Sequence, residues 1–331
     1  MQIFINNIKN MSKSKKTKLS RAGSLKKYQG KHIKRGMLIE KFSAFDGNAN
    51  KKKILKTINI NKYTIFTSVP KIDTNALNDM VTIIITNYNK KNLLAMAVRS
   101  ALKQSYKNIE IIVIDDKSSD NIENILKPII NNRVRIILNK KNYGPYACRN
   151  YALDVAKGKY VTFLDADDVI HKDHILALIS CYKAKNLSSV LSLHNRYATS
   201  GRKASGPKIC EASIFFDRKK ILNDIGYYHM VRCGADTEFR RRIEKYYGLN
   251  NIGVFCHATY RALYIKNSLT RSSDLGSGSV ARSEYANSFR KYHKKSKNLF
   301  FDYKTMSMPF SLSNKIIVKE FNKKSFIEVK I

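Results

Sequence analysis

The chain predicts an α/β fold, with a mostly parallel central sheet flanked by helices. Three observations predict it. From Met80 onward, strand-like apolar runs alternate with helical spacing, the pattern of parallel strands joined by right-handed crossovers. The strand runs are continuous in Ile and Val instead of alternating with polar residues, as in strands covered on both faces. Polar clusters follow four of these strands, at the edge where open α/β sheets bind ligands.

The elements follow in order. Residues 1–78 form a basic arm. Lysine and arginine runs at 13–18, 26–27, 31–35 and 51–53 have few acids among them. Such composition predicts disorder to about Lys18, whereas 54–69 carries apolar residues able to pack on the main domain. That domain spans 79–275. Strands are predicted over 81–86, 109–114, 134–138 and 160–164. Helices between them cover 93–104, 120–130 and 146–156. Leu94, Val98, Ala101 and Leu102 carry the spacing of the first, Asp120 is placed to cap the second, and Gly158 follows the third. Beyond Asp168 a helix is expected over 171–185, strands over 190–193 and 212–216, and a helix over 218–224. A helix over 236–247, closed by Gly248, and a short strand over 252–255 follow. Residues 276–331 are a basic, helical C-terminal extension with its helix over 280–297.

Composition narrows the partners. The 331 residues carry 62 Lys and Arg against 25 Asp and Glu, a formal charge of +37. That favours nucleotides, nucleic acid, lipid headgroups or acidic glycans. Five widely spaced cysteines without a C-x-x-C pair suit buried thiols in a reducing compartment better than disulfides or zinc. No apolar run reaches the length of a membrane span, and the first residues do not read as a signal peptide. The expectation is a cytoplasmic protein whose basic arm is either a solvated tail or an anchor to an anionic membrane surface or nucleic acid. No G-x-G-x-x-G follows the first strand and no P-loop occurs, which removes the main support for dinucleotide oxidoreductases and P-loop enzymes.

Chemistry concentrates at the strand ends. The first cluster is Thr86-Asn87-Tyr88-Asn89, where an aromatic ring beside amides can stack on a base and read its edge. The second, Asp115 to Asp120, offers carboxylates to a base or to ribose hydroxyls. The third, Asn142 to Asn150, places Arg149 in the first turns of a helix. The fourth sets Asp165, Asp167 and Asp168 within four residues. Like charges this close repel unless a cation offsets them, and all-oxygen ligands favour Mg²⁺ or Mn²⁺. Each cluster alone also fits turn chemistry and helix capping. Four at the ends of successive strands share one crevice.

These runs, T-N-Y-N, V-I-D-D-K-S-S-D, N-Y-G-P-Y-A-C-R-N and G-K-Y-V-T-F-L-D-A-D-D, resemble family 2 glycosyltransferases of the GT-A fold over residues 80–170. Phe216-Asp-Arg218, Ile225-Gly-Tyr227 and the segment 234–242 resemble the acceptor half of that family, and Arg261 with Ser268-Leu-Thr270 a downstream element of some members. The resemblance implies an inverting transfer from a nucleotide-diphosphate sugar, a UDP-sugar before others, to a hydroxyl on a glycan or lipid-linked acceptor. Thr86, Tyr88, Asp116 and Asp115 would hold base and ribose. Asp165 and Asp167 would face ribose and metal, with Asp167 the direct ligand of Mn²⁺ or Mg²⁺. Arg149 would add a cation near the phosphates, and Arg261 would close over the diphosphate. Asp236 is the expected base, with Glu238 second. Two departures from the family pattern stand out. Ala235 occupies the position of an acid, and no histidine precedes Ser268. Two other readings compete. One is a nucleic-acid- or anionic-surface-binding protein that uses the basic arm and tail. The other is an inactive scaffold, which would have no need to keep repelling carboxylates together.

Overall fold

The computed structural model describes residues 62–73, 77–265 and 268–329. Most of the basic arm, residues 1–61, lies outside the described residues, and with it the expectations of disorder and of a membrane anchor. The elements run β1 (Thr64–Phe66), β2 (Val81–Asn87), α1 (Lys91–Leu102), β3 (Ile109–Asp115), α2 (Glu123–Leu126), β4 (Val134–Asn139) and α3 (Pro145–Val155). Next come β5 (Tyr160–Asp165), β6 (Val169–Ile170), α4 (His174–Ala184), β7 (Ser189–Ala198), β8 (Lys203–Asp217) and α5 (Arg218–Asp224). The chain continues through α6 (Ala235–Tyr247), β9 (Ile252–Tyr264), α7 (Val280–Lys295) and β10 (Phe326–Val329).

The strands form one sheet in the order β1-β9-β7-β8-β5-β2-β3-β4-β10, with β6 paired to β9. Its centre, β5-β2-β3-β4, is parallel, as the continuous apolar runs predict. Alternate residues of the central strands enter opposite cores. Ile84, Ile112 and Ile114 pack with α3 and α6 residues such as Tyr146 and Phe239. Ile83, Ile85, Ile111 and Val113 pack with α1 and α4. Each such side chain removed from water contributes about 1.5–3 kcal/mol.

Several expectations are corrected. The helix expected over 120–130 is a single turn, Glu123–Leu126, with Ile122 at its cap. Asp120 instead accepts from the Lys91 amide. The strand read as 252–255 runs to Tyr264 and the one read as 212–216 begins at Lys203, since their outer halves are too polar to register as apolar runs. The helix read from 171 starts at His174, and α7 ends at Lys295. Residues 276–331 are not helical throughout. After α7, β10 adds an antiparallel edge strand to β4. It is tied there by Arg135, which donates to Glu110 on β3 and in bidentate fashion to Glu328 on β10. Among the described residues no helix is long and apolar enough to cross a membrane.

Two wholly buried histidines make the fold acid-sensitive. His174 bonds Thr259 and Ser213, and His229 bonds Tyr285. Burial, the dominant cause, lowers each from 6.5 to about 3. The unfolded chain takes up these protons as pH falls through about 6.5, and the folded chain does not until about 3. Their contribution to stability is therefore complete above about pH 6.5 and is lost on acidification, by about 2 kcal/mol per histidine at pH 5. Urea midpoints should drop between pH 7 and pH 5. Equal midpoints would contradict this.

Candidate functional site

The parallel centre of the sheet brings the expected residues to one edge. Register pairs Asn87 with Asp115 across β2 and β3, and Thr86 with Asp165 across β2 and β5. Asp115 and Asp165 therefore flank the end of β2, roughly 10 Å apart at ordinary strand spacing. Just beyond β2, Tyr88 stands 52% exposed, free to face a planar ring.

Asp115 and Asp116 both hold the protein together. Asp115 accepts from Asn87, from the Ser118 amide and from the Ser118 hydroxyl. Asp116 is buried, and its oxygens accept from Asn139 Nδ2 and from the amides of Tyr143 and Gly144. Burial pushes its carboxyl up, against those donors. Gly144, at φ 89°, lets the loop turn its amide onto Asp116 and start α3 in the next residue. Asp116 thus fixes where α3 begins.

The first turn of α3 carries the side chains that join the site. Arg149 Nη2 donates to Asp165 Oδ1 at 2.8 Å. Arg149 is 3% exposed, and its Nε and Nη1 have no hydrogen-bond partner among the described residues. The guanidinium lies 5.0, 5.5 and 5.8 Å from the ring centroids of Phe163, Tyr146 and Tyr228, a buried cation held among aromatic faces and by Asp165. Three residues earlier on the same helical face, Tyr146 Oη donates to Asp236 Oδ1 at 3.0 Å. Gly234, at φ 75°, opens α6 so that Asp236 falls in its first turn. Asp236 is close enough to Asp165 to help raise the latter's pKa. Burial is the larger cause, although Asp165 keeps some solvent access. Arg149 opposes the rise, and Asp167 adds to it.

The acidic edge divides by role. Asp167 is partly exposed, with Lys90 Nζ 3.6 Å from Oδ2. Asp168 is buried and accepts from the Leu263 amide, which ties the chain just before β6 to β9. Burial, then Asp167 and Asp165, raises its pKa well above the carboxylate range. Among the described residues no three His, Cys, Asp or Glu side chains are placed to hold a metal together. Asp167 with Asp165 nonetheless fits a hard divalent ion that takes one or two carboxylates and completes its shell with phosphate oxygens and water. Their mutual repulsion, and the ammonium already drawn to Asp167, mark a place that favours positive charge.

Of two further expected residues, Glu238 lies away from this edge and Arg261 lies beside it. Glu238 is wholly buried. Two positions on from Asp236, it faces the other side of α6, because residues at i and i+2 do not share a helical face. Its oxygens accept from Arg242 and His293. Burial alone would raise its pKa, but Arg242, then His229 and His293, bring it down to about 2. Glu238→Gln should cost about 3 kcal/mol or more by leaving Arg242 uncompensated, seen as a lower melting temperature. An unchanged melting temperature would contradict that role. Arg261 lies within β9, 5% exposed, its guanidinium 4.9 Å from the Tyr197 ring centroid, beside Val169 of β6. Tyr146 is absent from the sequence-derived candidates. Its signal was its place three residues before Arg149.

The family model described as glycosyl transferase family 2 matches residues 82–248, half of the chain. A UDP-Glc:α-D-GlcNAc-diphosphoundecaprenol β-1,3-glucosyltransferase, WfaP of Escherichia coli, is 47% identical over 90 residues, 27% of this chain and 36% of that protein. An uncharacterized glycosyltransferase of Haemophilus influenzae is 34% identical over 145 residues, 43% of this chain and 57% of that one. The chain thus spans about a third of the first of these relatives and less than three fifths of the second. Among solved structures, a mannosyltransferase from Pyrobaculum calidifontis in complex with GDP-Man and Mn²⁺ superposes with a TM-score of 0.53 at 15% identity. It covers 75% of this chain and 70% of that one, a likeness of fold.

Proposed function

The chain belongs to glycosyl transferase family 2, and we propose that it is a metal-dependent, inverting transferase that moves a sugar from a UDP-sugar to a hydroxyl of a lipid-diphosphate-linked glycan. The observation that carries this reading is the first turn of α3. It touches Asp165 on the donor edge through Arg149 and Asp236 of α6 through Tyr146. Tyr88 stacks on the base, and the strand-end polar groups around Thr86 and Asp115 border the ribose. The buried Arg149 cation, joined to Asp165, adds positive charge behind the edge where the diphosphate would lie.

Asp236 Oδ2, for which the described residues supply no hydrogen-bond partner, takes the proton of the acceptor hydroxyl. The hydroxyl oxygen bonds to the anomeric carbon as the bond from that carbon to the diphosphate breaks on the opposite face, so the configuration inverts. Mn²⁺ or Mg²⁺ at Asp167 and Asp165 would offset the charge left on the departing diphosphate. The choice of UDP and of a lipid diphosphate follows the substrates named for the Escherichia coli relative.

A donor screen by thermal shift tests the reading. In Mn²⁺, a UDP-sugar should raise the melting temperature more than guanosine or thymidine diphosphate sugars, and chelation should remove the shift. No shift with any donor would overturn it.

A further inference from the structure

We infer that Tyr146 is the positioning residue for Asp236, holding one carboxylate oxygen so that the other faces the acceptor hydroxyl. The inference rests on the reading of Asp236 as the base. Asp236 Oδ1 accepts two hydrogen bonds, from the Thr237 amide at 2.9 Å and from Tyr146 Oη at 3.0 Å. The first comes from the next residue of its own helix. The second comes from α3 and ties the carboxylate to a second helix. Asp236 is not a fully buried residue, so packing alone does not set its side-chain torsions.

Tyr146 is well placed for this work. It is 4% exposed, its ring stacks on Tyr228 at 5.7 Å, and the Arg149 guanidinium lies 5.5 Å from its centroid. Tyr228 in turn stacks on Phe239 of α6, so the ring that donates and the helix that carries the acceptor belong to one packed unit. Burial first, then the negative charge of Asp236, holds the phenol well above its ordinary value, against Arg149 and Arg282, so it stays a donor at neutral pH. Because Arg149 leaves the same turn to meet Asp165, α3 sets the distance between the proton acceptor and the donor edge. Asp116, through its bonds to the Tyr143 and Gly144 amides, sets where that turn sits.

Tyr146→Phe keeps the ring and removes only the donated hydrogen bond. Transfer is measured under single turnover with a UDP-sugar and Mn²⁺ in four proteins: wild type, Tyr146→Phe, Asp236→Asn and the double variant. Donor binding is measured in parallel to show that each is folded. The expected result is about a tenfold loss for Tyr146→Phe, the scale of one hydrogen bond to a charged group, with donor affinity unchanged. In the Asp236→Asn background the same change should cost nothing further. A wild-type rate in Tyr146→Phe, or a loss that multiplies undiminished in the double variant, overturns the inference and leaves Asp236 as base intact. A wild-type rate in Asp236→Asn overturns the base assignment itself, and the inference with it.

Discussion

Asp167→Ala loses sugar transfer by about a thousandfold or more, while its melting temperature stays close to that of the wild type. The loss is large because, on the proposed function, the variant removes the carboxylate that would ligate the divalent ion directly. Charge stabilisation of a leaving diphosphate by such an ion is worth several kcal/mol, and each 1.4 kcal/mol is about tenfold in rate. The stability cost is small because Asp167 is partly exposed and Lys90 lies 3.6 Å away, a loose, partly exposed pair worth about 1 kcal/mol or less. Turnover with a UDP-sugar and Mn²⁺, beside a thermal melt, reads both halves. A variant within tenfold of wild type would show that the ion, if needed at all, sits elsewhere.

Asp236→Asn keeps the shape of the side chain and removes its capacity to accept a proton. Loss of a general base costs about 10²–10⁴ in rate. The expectation is a fall of that size in kcat with the donor KM unchanged, because Asn keeps the side chain's size and its contact with Tyr146 while the donor is held by other residues. The neighbouring acid gives the contrast. Glu238→Gln should lower stability through Arg242, and kcat only as far as the fold suffers. Equal kcat losses from both variants, at unchanged melting temperature, would contradict the division of roles along α6.

The parallel centre of the sheet was legible because its strands are pure apolar runs and its helices carry regular spacing. Val81–Asn87, Ile109–Asp115, Val134–Asn139 and Tyr160–Asp165 all lie within a residue of their expected bounds. The antiparallel half was harder. Lys203–Asp217 and Ile252–Tyr264 owe their outer lengths to pairing with β7, and such long-range pairing leaves little local trace in residues like Lys203 to Pro207. The edge strand Phe326–Val329 is four residues long and is held by Arg135, distant in sequence.

The site divides the same way. Carboxylates at strand ends could be located, but what each one does depends on partners far along the chain. Asp116 looks like a ligand group until the Gly144 amide is seen on it. Glu238 looks like an alternative base until the helix turns it onto Arg242 and His293. Tyr146 resembles any core tyrosine, and only the contact with a residue 90 positions away gives it a role.

Calorimetric titration of the protein with UDP tests the central claim most directly, that one hollow at the strand ends takes a nucleoside diphosphate through a metal held by Asp167, with the buried charge of Arg149 behind that edge. The account predicts saturable binding at one site in Mn²⁺, abolished by a chelator and strongly weakened in Asp167→Ala. Undiminished binding in that variant, or no binding with either Mn²⁺ or Mg²⁺ present, would contradict it.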